Sequence, residues 1–192
     1  MEHNIDDMAL FVKKRINEKR YLHSLNTAKE AAALAKKYGA DENKAYIAGL
    51  LHDVAKGLSA DSLNTIAGEN GIEVDEHEAK NPELLHGKVG AAIVSRELGI
   101  NDEDILSAIK WHTTGHKNMT LLEKIIYLAD IIEPGRNFPE TEALRALAYK
   151  DLNGAMLKGL GHVMNFVKAK GLTLHPNSIE AYKFIKIAEE KK

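Results

Sequence analysis

Histidine and aspartate are the side chains here whose types and positions could do chemistry, and His52 and Asp53 stand side by side in Ala48-Gly49-Leu50-Leu51-His52-Asp53-Val54-Ala55-Lys56. The residues from Ala45 to Ala55 are apolar most of the way round a helix, so a largely buried helix is expected with this pair in its middle. A carboxylate buried beside an imidazole costs several kcal/mol unless opposite charge meets it, and a divalent cation meets both groups at once. The plain alternative is a hydrogen-bonded core pair, and an isolated His-Asp dipeptide fits that alternative better. His23 and Asp130 change the balance, because each is a polar residue on an otherwise apolar stretch. Together they make two imidazoles and two carboxylates from separate helices, the ligand set a divalent cation takes where cysteine is lacking.

Composition narrows the field further. A chain of 192 residues with 44% hydrophobic content is long enough for one sizeable core, so a single domain over residues 1–192 is expected, with its centre at about 18–140. The net charge of -2 gives no overall basic field, which argues against nucleic acid as a partner. With no cysteine, disulfides, thiolate catalysis and sulfur-held metals are excluded. The start, Met1-Glu2-His3-Asn4-Ile5-Asp6-Asp7, has no basic and then apolar leader, and no apolar run nears the ~20 residues of a membrane span. A cytoplasmic protein without a membrane partner is expected.

The elements that must position these residues read as helices throughout. Asp6 and Asp7 would cap a helix over 8–17, and a second runs from about Arg20 to Tyr38 and stops at Gly39. Asp41 would cap the helix carrying His52 and Asp53, which Gly57 ends, and Ser59 opens another over 61–69. The acidic stretch 73–80 has no periodicity and is expected to be a surface connection, after which Pro82 suits the first turn of a helix over 83–98. Asn101 would cap a helix ending near Trp111; a strongly apolar helix over 120–133 holds Asp130. Two more, 140–167 with an interruption near Asp151 and 178–191, finish the chain. No period-two stretch stands out, so the expected fold class is all-α, a helical bundle.

His23, then His52-Asp53, then Asp130 resembles the H...HD...D signature of HD-domain metal-dependent phosphohydrolases. The wider set is more specific: Leu85-His86-Gly87, Trp111-His112-Thr113-Thr114-Gly115-His116, and Ala129-Asp130-Ile131-Ile132-Glu133-Pro134-Gly135-Arg136. From about Arg20 to Arg136 the chain is similar to the YqeK family of bacterial symmetrical bis(5'-nucleosyl)-tetraphosphatases. What that implies is an HD-type helical domain splitting diadenosine tetraphosphate into two ADP, by hydroxide formed at a metal. His23, His52, Asp53 and Asp130 are the expected metal ligands, and Asp53 would also orient the attacking water or take its proton. The resemblance implies iron; the ligand types alone equally allow zinc or manganese. His86 and His112 would hold a second metal, as in other HD proteins, or face the phosphates of the nucleotide. His116 fits a site residue and an exposed loop histidine equally.

Three cations complete the expected site. Lys56 follows Asp53 by three positions and would share its helical face, while Arg20 precedes His23 by three. Arg136, in the loop after Asp130, offers a guanidinium fork suited to phosphate oxygens. Each has a plain alternative as a solvated cation, yet three beside one metal-carboxylate cluster suit a polyphosphate better than a neutral substrate. A small nucleotide is therefore the expected partner, and a homodimer is left open. Two other classes stay in view: an HD-type di-iron oxygenase, and a non-catalytic nucleotide-binding module whose metal staples helices. Anaerobic release of ADP from diadenosine tetraphosphate would separate the hydrolase from the oxygenase, and tight ADP or GDP binding without turnover would mark the module.

Overall fold

In a computed structural model that describes residues 4–191, helix follows helix and no strand occurs among the described residues. Residues 1–3 and 192, part of the expected span, lie outside the described residues. The chain opens with α1 (Ile5–Lys13), α2 (Glu18–Tyr38), α3 (Glu42–Leu51), α4 (Ala60–Glu69) and α5 (Glu76–Lys80). A 3-10 turn, Pro82–Leu85, leads straight into α6 (His86–Leu98), followed by α7 (Glu103–Trp111) and α8 (Leu121–Ile132). Last come α9 (Thr141–Ala148), α10 (Leu152–Ala169) and α11 (Pro176–Glu189). Short polar side chains start most of them: Asn17, Asp41, Asp102 and Thr120 each accept a hydrogen bond from the first turn of the helix that follows, a cap generally worth ~1 kcal/mol. Gly39 and Gly99, in the left-handed conformation, close α2 and α6.

The core forms around α3 and α8. Ala45, Ala48, Leu50 and Leu51 of α3 and Ile125, Ile126, Leu128 and Ile132 of α8 are wholly buried, each larger side chain contributing roughly 1.5–3 kcal/mol as an upper figure. Two glycines set the spacing that matters for the site. A Cβ at Gly49 would meet the Ala28 Cα at 2.8 Å, so α3 lies directly against α2. A Cβ at Gly87 would meet the Lys110 carbonyl oxygen at 2.6 Å, so α6 lies equally close to α7. The first contact brings His52 beside His23 and the second brings His86 beside His112.

Several boundaries differ from the sequence expectation, and one difference bears on function. α3 ends at Leu51, so His52 is its C-cap and Asp53 lies in the turns that follow rather than in mid-helix. Apolar periodicity continues through Val54 and Ala55 because the turns are buried too, so the pattern alone does not mark where the helix ends. Lys56 accordingly does not share a helical face with Asp53; its N–H donates to the Asp53 carbonyl at 2.9 Å in a tight turn. At the start, Asn4 rather than Asp6 or Asp7 caps the first helix, and Asp102 rather than Asn101 caps α7. The stretch 73–80 holds the short helix α5, made by a capping box of Asp75 and Glu78, which carries no apolar period.

Candidate functional site

Three of the five histidines buried among the described residues are placed by the same local device. His52 and His112 are the C-caps of α3 and α7, and His86 follows the 3-10 turn. Each directs Nδ1 to the carbonyl three residues back: Gly49 at 2.7 Å, Ile109 at 2.7 Å and Glu83 at 2.5 Å. A helix end leaves its last carbonyls unpaired, and a ring at the cap satisfies one of them as a donor. His23, inside α2, has no such carbonyl, and its Nδ1 lies 3.1 Å from Oε1 of Glu133 instead.

With Nδ1 committed as donor, a neutral ring presents Nε2 as a bare lone pair. Nε2 of His23 lies 3.2 Å from Nε2 of His52, and Nε2 of His86 lies 3.0 Å from that of His112. Protonating both members of a pair would set N–H against N–H. Two carboxylates close the arrangement: Asp130 Oδ1 is 3.0 Å from His23 Nε2 and 3.9 Å from His52 Nε2, and Asp53 Oδ2 is 3.4 Å from His52 Nε2 and 3.7 Å from His23 Nε2. Donors bound at about 2.1 Å to one ion stand roughly 3.0–3.4 Å apart at tetrahedral or octahedral angles, so these four atoms fit a shared cation. Oδ1 of Asp53 faces the other pair, 3.4 Å from His86 Nε2 and 3.6 Å from His112 Nε2. One carboxylate thus spans both pairs.

The electrostatics agree with that fit. Burial opposes ionisation of Asp53 and Asp130; the surrounding imidazoles and, for Asp130, Arg136 outweigh it, so both carboxyls are held well below the usual range. Burial pushes His86 down to about 4, against the pull of Asp53 and with the neighbouring charge of His112 acting the same way. A neutral imidazole with a free lone pair is what a metal ligand requires.

The expected cations do converge here. Arg20 donates to Asp53 Oδ2 at 2.8 Å, and Arg136 donates to Asp130 Oδ1 at 2.5 Å and to the Asp130 carbonyl at 2.8 Å. Lys56 lines a cavity of about 260 Å³ together with Asp53, His86, His112 and Asp130, and it makes no ion pair among the described residues. Tyr127 lines the same cavity, with a buried hydroxyl that has no hydrogen-bond partner among the described residues. His116 is elsewhere. It meets the buried Glu123 at 2.9 Å beneath the Trp111 ring and belongs to the start of α8.

Two participants escaped the sequence. Thr113 Oγ1 lies 3.0 Å from His86 Nε2 and 3.1 Å from His112 Nε2, a hydroxyl able to serve only one of them as donor. Glu133 accepts from the Gly135 N–H at 2.6 Å while orienting His23, a carboxylate-histidine arrangement typical behind metal ligands. A signal for Glu133 existed: a carboxylate at a helix C-terminus opposes the dipole and asks for a reason.

The HD domain family matches residues 20–135. A symmetrical bis(5'-nucleosyl)-tetraphosphatase of Bacillus subtilis (strain 168) is 40% identical over 184 residues, covering 95% of this chain and 97% of that protein. Another, from Halalkalibacterium halodurans, is 43% identical over 171 residues, covering 89% and 91%. A crystal structure from Clostridium acetobutylicum, described as a predicted HD superfamily hydrolase involved in NAD metabolism, superposes with a TM-score of 0.93 at 43% identity over 96% of this chain and 98% of that one. With the paired histidines and spanning carboxylate already in place, these likenesses show that the chain belongs to the HD-domain family, on the branch of the symmetrical bis(5'-nucleosyl)-tetraphosphatases.

Proposed function

We propose that the chain hydrolyses the central phosphoanhydride of dinucleoside tetraphosphates, diadenosine tetraphosphate giving two ADP. The observation that carries this is the convergence of four lone-pair imidazole nitrogens and two carboxylates beneath Arg20 and Arg136, in a chain alike over nearly its whole length to tetraphosphatases. His23, His52, Asp53 and Asp130 would hold one divalent cation. His86, His112 and Oδ1 of Asp53 would hold a second, since a neutral His86 suits a cation better than a phosphate. We assign iron, which nitrogen and carboxylate donors without sulfur accept as they accept zinc or manganese. Such an ion lowers the pKa of water and polarises phosphoryl oxygens.

The chain's own groups do the rest. Arg20 and Arg136 each spend some N–H groups on a carboxylate and keep others on the cavity wall for phosphate oxygens. Lys56 and Thr113 line the smaller cavity beside the histidine pairs, where the far phosphates would lie. Glu133 fixes the His23 ring, and the three helix-end carbonyls fix the others, so no reorganisation of ligands is needed when charge builds up. Membership of this branch sets aside the oxygenase and the non-catalytic module. A cytoplasmic location, where nucleotide polyphosphates turn over, and operation of the chain as one domain are parts of the same proposal; among the described residues no helix is long and apolar enough to cross a membrane. Metal analysis of the purified protein with product identification tests it: ADP plus ADP is expected, and ATP plus AMP, or turnover by metal-free protein, would refute it.

A further inference from the structure

The small cavity around Lys56 opens onto a second one of about 910 Å³, and the two share Arg20, Asp130, Ile131, Arg136 and Val163. Their walls differ in kind. The larger cavity has a flat aromatic platform, Phe138 and His162 stacked at 3.9 Å between ring centroids with their planes 22° apart. Leu22 and Phe166 add exposed apolar surface to it, and the Asn26 and Asn137 amides, also on its wall, have no hydrogen-bond partner among the described residues. An apolar platform with spare amides suits a heterocyclic base. The smaller cavity lies below the ~300 Å³ typical of sites for whole small molecules. Beyond the five shared residues its wall is imidazole, carboxylate, lysine and hydroxyl, and its one carbocyclic aromatic, Tyr127, is buried. It has room and chemistry for phosphates, and no platform for a second base.

Position fits the same division. Phe138 follows the shared Arg136 by two residues and His162 adjoins the shared Val163, so the platform begins where the phosphate-facing wall ends. A nucleoside seated there would thread its phosphates past Arg136 and Arg20 to the histidine pairs.

Building on the function proposed above, we infer that the site grips one nucleoside only and therefore also hydrolyses nucleoside 5'-tetraphosphates, releasing the nucleoside diphosphate and pyrophosphate. Water adds to one of the two central phosphorus atoms, and the P–O bond bridging them breaks with its electron pair passing to the departing diphosphate. The water proton goes to solvent, so adenosine 5'-tetraphosphate and water give ADP, pyrophosphate and a proton. The second nucleoside of a dinucleoside tetraphosphate is an ungripped substituent on the leaving group.

The test compares diadenosine tetraphosphate and adenosine 5'-tetraphosphate with the same metal-loaded protein. A second nucleoside that makes no differential contact costs little when removed, so kcat/KM for the two should agree within about tenfold. His162→Ala should raise KM for both by about tenfold, the usual size of a lost base stack, with kcat and thermal midpoint near wild type, and His162→Phe should restore KM. Rapid cleavage of diadenosine tetraphosphate with no turnover of adenosine 5'-tetraphosphate overturns the inference and leaves the proposed function standing. So does cleavage of the latter to ATP and phosphate. Failure to cleave diadenosine tetraphosphate at all overturns the proposed function, and the inference with it.

Discussion

Among the described residues two places bring together residue types that bind metals, and they differ in what their lone pairs are doing. Around His23, His52, Asp53 and Asp130 the Nδ1 atoms are occupied and the Nε2 atoms face one another and two carboxylates. Around Asp75, Glu78 and His175 the ligand atoms are equally close together, yet each has a donor or acceptor of its own. Asp75 Oδ1 accepts from the His77 and Glu78 N–H groups at 2.8 and 2.9 Å, and Asp75 Oδ2 meets His175 Nε2 at 2.9 Å. Glu78 Oε2 accepts from the Asp75 N–H at 3.0 Å and from Lys88 at 2.7 Å, and His175 Nδ1 accepts from the Asn177 N–H at 3.2 Å. The second cluster is a clip between the starts of α5 and α11. Ligand types and proximity therefore do not by themselves mark a candidate metal site; imidazole Nε2 atoms that face one another across two carboxylates do.

The comparison can be broken most directly at its first member. His52→Ala or Asp53→Ala is expected to remove both bound metal and hydrolysis, read by elemental analysis and ADP release. Glu133→Gln should weaken metal binding about 10–100-fold without displacing a ligand, because it loosens only the ring of His23, and a metal titration would show it. At the second member the effect should be on folding alone. His175→Ala is expected to leave metal content and turnover unchanged while costing about 1 kcal/mol in a urea melt, the usual value of a helix cap. Metal lost from that variant would place an ion in the clip and end the distinction.

The smallest effect is a pH dependence. Burial raises the Asp75 carboxyl, but the Glu78 and His77 N–H groups and His175 pull it further the other way, so its folded pKa lies below the ordinary 3.8. A group lowered on folding contributes stability above its unfolded value and loses it as pH falls through the folded one. Stability from the clip should thus be intact above about pH 4 and fade below it. Asp75→Asn should flatten acid unfolding in that window, and an unchanged acid limb would show that Asp75 contributes nothing there.

Much of the fold was legible because helices announce themselves locally. Asp41 and Ser59 cap where their residue types suggest, and Gly39 stops α2. The boundary at Leu51 was not legible, since Val54 and Ala55 are buried whether or not the backbone there is helical. His175 as a cap was equally hidden, because an imidazole is an uncommon capping group and its partner Asp75 lies 100 residues earlier.

What the sequence determined by itself was the inventory: an all-helical chain without cysteine, carrying two histidines, two aspartates and three cations at positions that suit one ion and a polyphosphate. Only the tertiary structure decided which nitrogen of each ring is free, that Asp53 spans two histidine pairs, that Glu133 and Thr113 belong with them, and that His116 and His175 do not. Residue types and helical period are properties of a single segment. The state of a lone pair depends on whichever groups other segments bring within 3 or 4 Å, and here Gly49 and Gly87 set that approach by letting helix backbones touch.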